Sequence, residues 1–248
     1  MAKKDENGSR KHVLSWVAQD MFISEMKAIL AANQSPVESI GAFMPNKSNP
    51  QEAELDKSFA KHLLPQECLD CGEKIRKWWL AKSTEKTQTP NWDIAAACEI
   101  KDRNEIKRGL ILVEAKAHVS ELNKKDKSGA AGENAKSIKE ALQDASDDLN
   151  SRCKSKGFNL SADNHYQLSN RIAYVWKLAQ MGIPTILAYL GFTGYDPHFG
   201  DDYLRDHKHW TDTLRNYMQE VVPLDLLGKT IHCEKSWFKM LIISKPIE

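Results

Sequence analysis

Two short stretches carry residues able to do chemistry. Asp93 closes the segment Pro90-Asn91-Trp92-Asp93, and Gly109-Leu110-Ile111-Leu112-Val113-Glu114-Ala115-Lys116 follows it. Strand alternation puts Leu110, Leu112, Glu114, Lys116 and His118 on one face, with Val113, Ala115 and Ala117 on the other. A carboxylate and an ammonium therefore project together from a strand that otherwise reads as buried. Burying both is costly unless they are paired with each other or with a metal. A hard divalent cation such as Mg²⁺ takes carboxylate and carbonyl oxygens and keeps several waters, so two acids suffice to hold it. The pattern suits metal-assisted hydrolysis of a phosphodiester, with the ammonium stabilising charge on phosphate oxygens.

Glu-x-Lys alone is a weak signal, because the chain contains four instances, beginning at Glu25, Glu99, Glu105 and Glu114. The first falls on an amphipathic helical pattern and the next two flank a charged connection; only the fourth interrupts an apolar strand. A purely structural alternative is that this strand leaves the core at Glu114 and its charges meet water.

The elements that must position these residues follow from periodicity. Val13 to Leu30 reads as a helix. Ser35-Pro36-Val37-Glu38 and Asn49-Pro50-Gln51-Glu52 each read as a helix start, the second helix running to about Leu64 with Leu55, Phe59 and Leu63 inward. Ile75 to Leu80, with two adjacent tryptophans, could finish a helix or form the first strand, and leans towards strand in its last part. Trp92 to Ile100 and Leu110 to Val119 read as antiparallel strands joined by Lys101 to Arg108. A polar excursion from Ser120 to His165 contains a helix from Glu133 to about Cys153. Tyr166 to Met181 is a helix stopped by Gly182 and Pro184, and Ile183 to Phe192 is a strand buried on both faces. A helix near Trp210 to Val221 and a strand from Trp237 to Ser244 complete the chain. The fold class expected is α/β, an α+β mixed sheet flanked by helices.

Asp93, then Glu114-Ala115-Lys116 on the next strand, then a helix and a buried strand, resembles the PD-(D/E)XK nuclease superfamily, also called restriction-endonuclease-like. The resemblance spans roughly residues 50 to 192. It implies an αβββαβ core with added helices, and a nuclease domain over 49–248 with a helical insertion at about 120–165, preceded by a tail and accessory helices over 1–48. It implies Mg²⁺ or Mn²⁺ held by Asp93 and Glu114 with the Ala115 carbonyl, and Lys116 orienting or activating the attacking water. Asn91-Trp92 stands where the superfamily's proline would directly precede Asp93, a position that varies widely.

Further candidates are weaker. The superfamily often adds an acid from an early helix; Glu38 and Glu52 have explanations as capping residues, leaving Glu54. Gln167, Asn170, Tyr174 and Lys177 form a polar stripe on their helix, and Gln167, Asn170 and Tyr174 are candidates for contacting substrate or supporting the site. His118 is a candidate substrate contact or proton shuttle. Tyr195, His198, His207, His209 and Trp210 could line a groove. Lys124, Lys125, Lys127, Lys136, Lys139, Arg152, Lys154 and Lys156 make the excursion basic in parts, offset by Asp144, Asp147 and Asp148.

Composition bounds the partners. The 248 residues carry a formal net charge of +1 with 28% charged side chains, so no global basic field announces nonspecific nucleic-acid binding. No stretch has the length of a membrane-spanning helix, and no apolar signal segment opens the chain. Five cysteines fit a reducing compartment rather than a disulfide framework, and Cys68-Leu69-Asp70-Cys71 reads as two thiols at a turn or helix end rather than a zinc site. A cytoplasmic metal-dependent nuclease acting on DNA in preference to RNA, as a homodimer or in a larger complex, is the expectation. Its rival is a non-catalytic nucleic-acid-binding or scaffold module of the same fold.

Overall fold

The computed structural model describes residues 8–247 except 66–67, 69, 84–87, 103–104, 154–156 and 198–199, and omits the side chains of Ser58 and Phe59. In chain order the helices are α1 (Ser9–Val17), α2 (Phe22–Ala32), α3 (Cys71–Trp79), α4 (Gly132–Arg152), α5 (Tyr166–Gln180) and α6 (His207–Met218). The strands are β1 (Ser39–Met44), β2 (Ile94–Asp102), β3 (Glu105–Lys116), β4 (Thr185–Thr193), β5 (Thr230–His232) and β6 (Trp237–Pro246). They form one mixed sheet in the order β1-β2-β3-β4-β6-β5. The pairs β1/β2, β2/β3 and β5/β6 are antiparallel, whereas β3/β4 and β4/β6 are parallel.

Side-chain alternation divides the core between the two faces of this sheet. Ile111, Val113 and Ala115 of β3, with Ile186, Ala188 and Leu190 of β4, meet Val13, Trp16, Phe22, Met26 and Leu30 of α1 and α2. Leu110 and Leu112, with Leu187 and Tyr189, face the opposite layer, built from α3, α4, α5 and α6. Both faces of β4 are thus covered, which is why all nine of its residues are buried. The parallel step from β3 to β4 requires a crossover, and α5 supplies its packed part.

Several local expectations are corrected. The Val13 to Leu30 helix is two helices, because Trp16 and Phe22 lie edge to face at 4.9 Å; six residues apart on one continuous helix they would stand roughly 240° apart. Ser35-Pro36 opens no helix: the backbone N–H of Glu38 donates to the Glu99 carbonyl at 2.8 Å and begins the pairing of β1 with β2. Residues 39–44 are therefore an edge strand of the main sheet, and α1 and α2 cover one of its faces. The helix expected from Asn49 is only a 3₁₀ turn, Ser58–Leu63. Leu55 and Leu63 are buried, and the side chain of Phe59 lies outside the described residues. The segment at Ala53 bridges to Trp92 instead.

Ile75 to Leu80 ends a helix, not a strand, because Cys71, Ile75 and Trp79 recur at four-residue spacing and bury one face. The presumed connection Lys101 to Arg108 is mostly strand, the β2/β3 ladder continuing to Asp102↔Glu105. The excursion is part of the helical layer: Ile138, Leu142, Ala145 and Leu149 of α4 join the core beside α5. Cys68 and Cys71 are joined as a disulfide rather than left as thiols, with their Cα atoms 5.1 Å apart; a separation of three residues at the start of α3 lets the side chains converge. No helix among the described residues is long and apolar enough to cross a membrane.

One close approach fixes the α6 layer. A Cβ on Gly191 of β4 would meet the Trp210 ring at 2.6–2.8 Å, and Trp210 is fully buried with its Nε1 donating to the Ile243 carbonyl at 3.0 Å. Gly191→Ala is expected to lower stability by about 1–3 kcal/mol through overpacking, measured as a shift of the urea midpoint with little change in slope.

Candidate active site

Register brings three acidic residues into line. The β2/β3 ladder ends at Ile94↔Val113, so the next step sets Asp93 opposite Glu114. The bridge Ala53↔Trp92 is antiparallel, which by the same step sets Glu52 across from Asp93. β3 alternation aims Glu114 and Lys116 at the α5 side, as Leu110 and Leu112 are aimed before them, and His118 follows just past the end of the strand, beside Gly8 and Glu121.

Glu114 is 2% exposed and Lys116 5%, so the charges do not simply emerge into water. Glu114 Oε1 accepts from Lys116 Nζ, and Oε2 accepts from Arg171 Nε at 2.8 Å. Arg171 of α5 is itself buried; its NH1 donates to Asn170 Oδ1 at 2.8 Å, and its guanidinium stands 4.7 Å from the centre of the Trp92 ring. Asp93 is half-buried, and its Oδ2 accepts the backbone N–H of Ala115 at 2.7 Å.

The two carboxyls are driven in opposite directions. Burial, reinforced by the neighbouring charge of Glu114, pushes Asp93 up to about 7. Burial also works against the Glu114 charge, but Lys116 and Arg171 outweigh it and hold Glu114 below its usual range. For Lys116, burial is outweighed by Glu114 and then Asp93, which raise its proton affinity. Glu114 is thus hydrogen-bonded by two cations, while Asp93 has one backbone N–H among the described residues and feels Lys116 only through its field.

These groups line a cavity of about 500 Å³ that also contains Arg10, Glu52, His118, Glu121 and Gln167. Glu121 orders its rim: Oε1 accepts from the backbone N–H of Ala117 at 2.8 Å and lies 3.1 Å from His118 Nδ1, while Oε2 accepts from Ser9 Oγ at 2.7 Å. Glu52 accepts from Arg10 NH1 at 2.7 Å and from Asn91 Nδ2 at 3.2 Å.

The remaining candidates divide. Gln167 lines the cavity, whereas Asn170 reaches the site only through Arg171. Tyr174 is fully buried, its ring 5.3 Å from Trp79 and 6.3 Å from Trp92, so the polar stripe expected on α5 is not a solvated one. Glu54 does not line the cavity; it lies 3.8 Å from Lys57, and burial raises its proton affinity. Glu52, explained from sequence as a helix cap, is the acid that faces the site, because the chain there is bridged to Trp92 instead of helical. Arg171 escaped the sequence reading, although an Arg on a helix whose Leu168, Ile172 and Val175 all point inward was the available signal.

Outside the site, Trp210 is core and His207 Nδ1 lies 2.9 Å from Ser244 Oγ; His198, Lys154 and Lys156 lie outside the described residues. The expected basic stretch is laced with acids: Lys124 pairs with Glu220, Lys139 with Asp163 and Arg152 with Asp148.

Among the described residues, no group of three or more His, Cys, Asp or Glu side chains has an arrangement that could hold a metal ion. The two-carboxylate donor set nonetheless suits a hard divalent cation. Asp93 and Glu114 set two carboxyl groups on one wall, three of their four oxygens already engaged by the chain, and the Glu114 charge that adds to burial in raising Asp93 is a repulsion such an ion would relieve. Comparisons with protein-family models, curated proteins and solved structures found no match for the chain.

Glu114→Ala would leave Lys116 and Arg171 buried without their anion and is expected to cost about 3–5 kcal/mol, read from chemical denaturation. Asp93 gives a signed pH dependence. Its folded pKa stands above the unfolded value, so the folded chain holds the proton more tightly and stability declines as pH rises from 3.8 to about 7. Asp93→Asn should remove that decline and melt higher than wild type above pH 7, measured in EDTA. Water screens a half-buried group, so a gain of about 1 kcal/mol, or about 2–4 °C, is expected.

Proposed function

We propose that the chain is a metal-dependent phosphodiesterase that hydrolyses nucleic acid, DNA in preference to RNA, at the centre formed by Asp93, Glu114 and Lys116. The observation that carries the reading is a buried acid, acid and ammonium facing one another across adjacent strands and opening on one cavity. Two antiparallel strand pairs, β1/β2 and β2/β3, followed by a parallel β3-α5-β4 crossover, support it as the arrangement expected of a restriction-endonuclease-like core.

In this reading Asp93 and Glu114, with the Ala115 carbonyl, hold Mg²⁺ or Mn²⁺. The bound ion supplies phosphate polarisation and a water acidic enough to ionise near neutral pH. Lys116 offers a fixed cation to the oxygens on which charge develops, in a setting where solvent reorganisation is small. Arg171 is a positioning residue: it holds Glu114 Oε2 and is itself held by Asn170 and the Trp92 face. His118, oriented by Glu121, faces the same cavity as a substrate contact. The reading carries a cytoplasmic location and, for cutting both strands of a duplex, a homodimer.

A second reading is favoured by one observation: both Glu114 oxygens are engaged by cations of the chain itself. A non-catalytic nucleic-acid-binding or scaffold module would keep that cluster closed. The deciding measurement is cleavage of supercoiled plasmid, linear duplex and single strands in Mg²⁺ or Mn²⁺. Metal-dependent cutting by the wild type, reduced at least about a hundredfold in Lys116→Ala, is the expected result. Cutting that survives Lys116→Ala or Asp93→Asn overturns the assignment, and a folded wild type that neither cuts nor takes up metal favours the second reading.

A further inference from the structure

A second cavity of about 660 Å³ adjoins the charged one, and Asn91, Gln167 and Arg171 line both. The chemistry changes at that boundary. The charged cavity gathers Asp93, Glu114, Lys116 and their neighbours, whereas among the described residues lining the second Arg171 alone is charged, and its charge is committed to Glu114. The rest is apolar surface from Trp79, Leu80 and Ile138, an aromatic wall from Tyr166, and neutral amides and hydroxyls. Its volume lies within the range of about 300–1,000 Å³ typical of small-molecule sites, which likewise combine apolar walls with a few polar groups.

We infer that this neutral cavity receives one unstacked nucleobase of the strand whose phosphodiester lies at Asp93, Glu114 and Lys116; the inference rests on the phosphodiesterase reading and names its substrate form. Among the described lining residues a second phosphate finds no uncommitted cation. A base finds what it requires: an aromatic face for stacking, and amides that pair with base edges. Asn91 lines the cavity with an acceptor in need of a partner: its Nδ2 donates to Glu52 Oε2 while its Oδ1 is buried with no hydrogen-bond partner among the described residues, so a turn of the side chain would bring Oδ1 to a base. An unpaired buried acceptor is costly, and an exocyclic or ring N–H of a base would satisfy it. Because the cavity is set into the protein beside α5, a base reaches it only by leaving a duplex stack, which costs least in a single strand or at a frayed or mismatched position.

The test separates the pocket from the chemistry by measuring binding in EDTA. The probe is a fluorescein-labelled DNA single strand of roughly 12 nucleotides, compared with the blunt duplex of the same sequence. Gly129 lines the cavity and a Cβ there would meet nothing within 4 Å, so Gly129→Phe starts from open space and adds bulk to the cavity; Gln88→Ala removes an amide that lines this cavity and not the charged one, and serves if the first variant does not fold. The expected result is single-strand binding at least about tenfold tighter than duplex binding, weakened about tenfold by either variant with duplex binding unchanged. Equal affinity for the two forms, no binding of either, or single-strand binding indifferent to both variants overturns the inference. Cleavage of both forms untouched by Gly129→Phe would sink the pocket and leave the nuclease standing. Base-dependent binding without any metal-dependent cutting would do the reverse.

Discussion

The buried Glu114 carboxylate is the constraint around which the rest is arranged. A carboxylate at 2% exposure on an otherwise apolar strand is tolerable only if its charge is matched in place, because the cost of removing it from water exceeds any single surface-type pairing. The match comes from two elements. Lys116 lies two residues along the same strand and so on the same face, and Arg171 arrives from the crossover helix. That second contact ties α5 to β3 at the level where the β3-α5-β4 unit must close. Arg171 in turn rests on Trp92, whose backbone is bridged to Ala53. One ion cluster therefore links β2, β3, α5 and the segment after β1.

The same cluster explains why its two acids differ. Asp93 and Glu114 are neighbours by register, but Lys116 and Arg171 both donate to Glu114, while Asp93 accepts from an amide N–H and feels Lys116 without a hydrogen bond to it. Desolvation acts on both; compensation outweighs it at Glu114 and falls short at Asp93. A pair of carboxyls driven apart in this way is a recurring feature of sites that handle protons or cations, although structural ion networks also produce it.

How much of this was legible in the residues depends on whether the signal was local. The Leu110 to Lys116 alternation, the apolar run of β4 and the helix ending at Gly182 are patterns that neighbours along the chain fix together, and the structure has them within a few residues. β1 was missed because Ser35-Pro36-Val37-Glu38 carries helix-start chemistry, while its strand conformation is imposed by pairing with β2, which no local signal encodes. The same failure exchanged Glu52 for Glu54: capping logic assumed a helix, and the bridge to Trp92 set the real orientation. Arg171 was hidden because a helix buried on nearly all sides has no clean polar face on which a functional charge would stand out. Its role exists only through Glu114, 57 residues away in sequence.

The closed state of the cluster bears on how a cation would enter. Both oxygens of Glu114 are already engaged, so a divalent ion must displace or share with Lys116 or Arg171, and its affinity is the difference between two strong attractions rather than the whole of one. Asp93, resisting ionisation up to about 7, adds a proton to be released before its carboxylate can serve. Both effects weaken intrinsic affinity for a lone ion. Neither weakens it equally once a phosphodiester is present, because the phosphate gives Lys116 an alternative anion and frees a Glu114 oxygen. On the phosphodiesterase proposal such a centre would couple metal and nucleic acid, each making room for the other, and the internal ion pairs that look like an obstacle to metal binding would become the means by which substrate admits it.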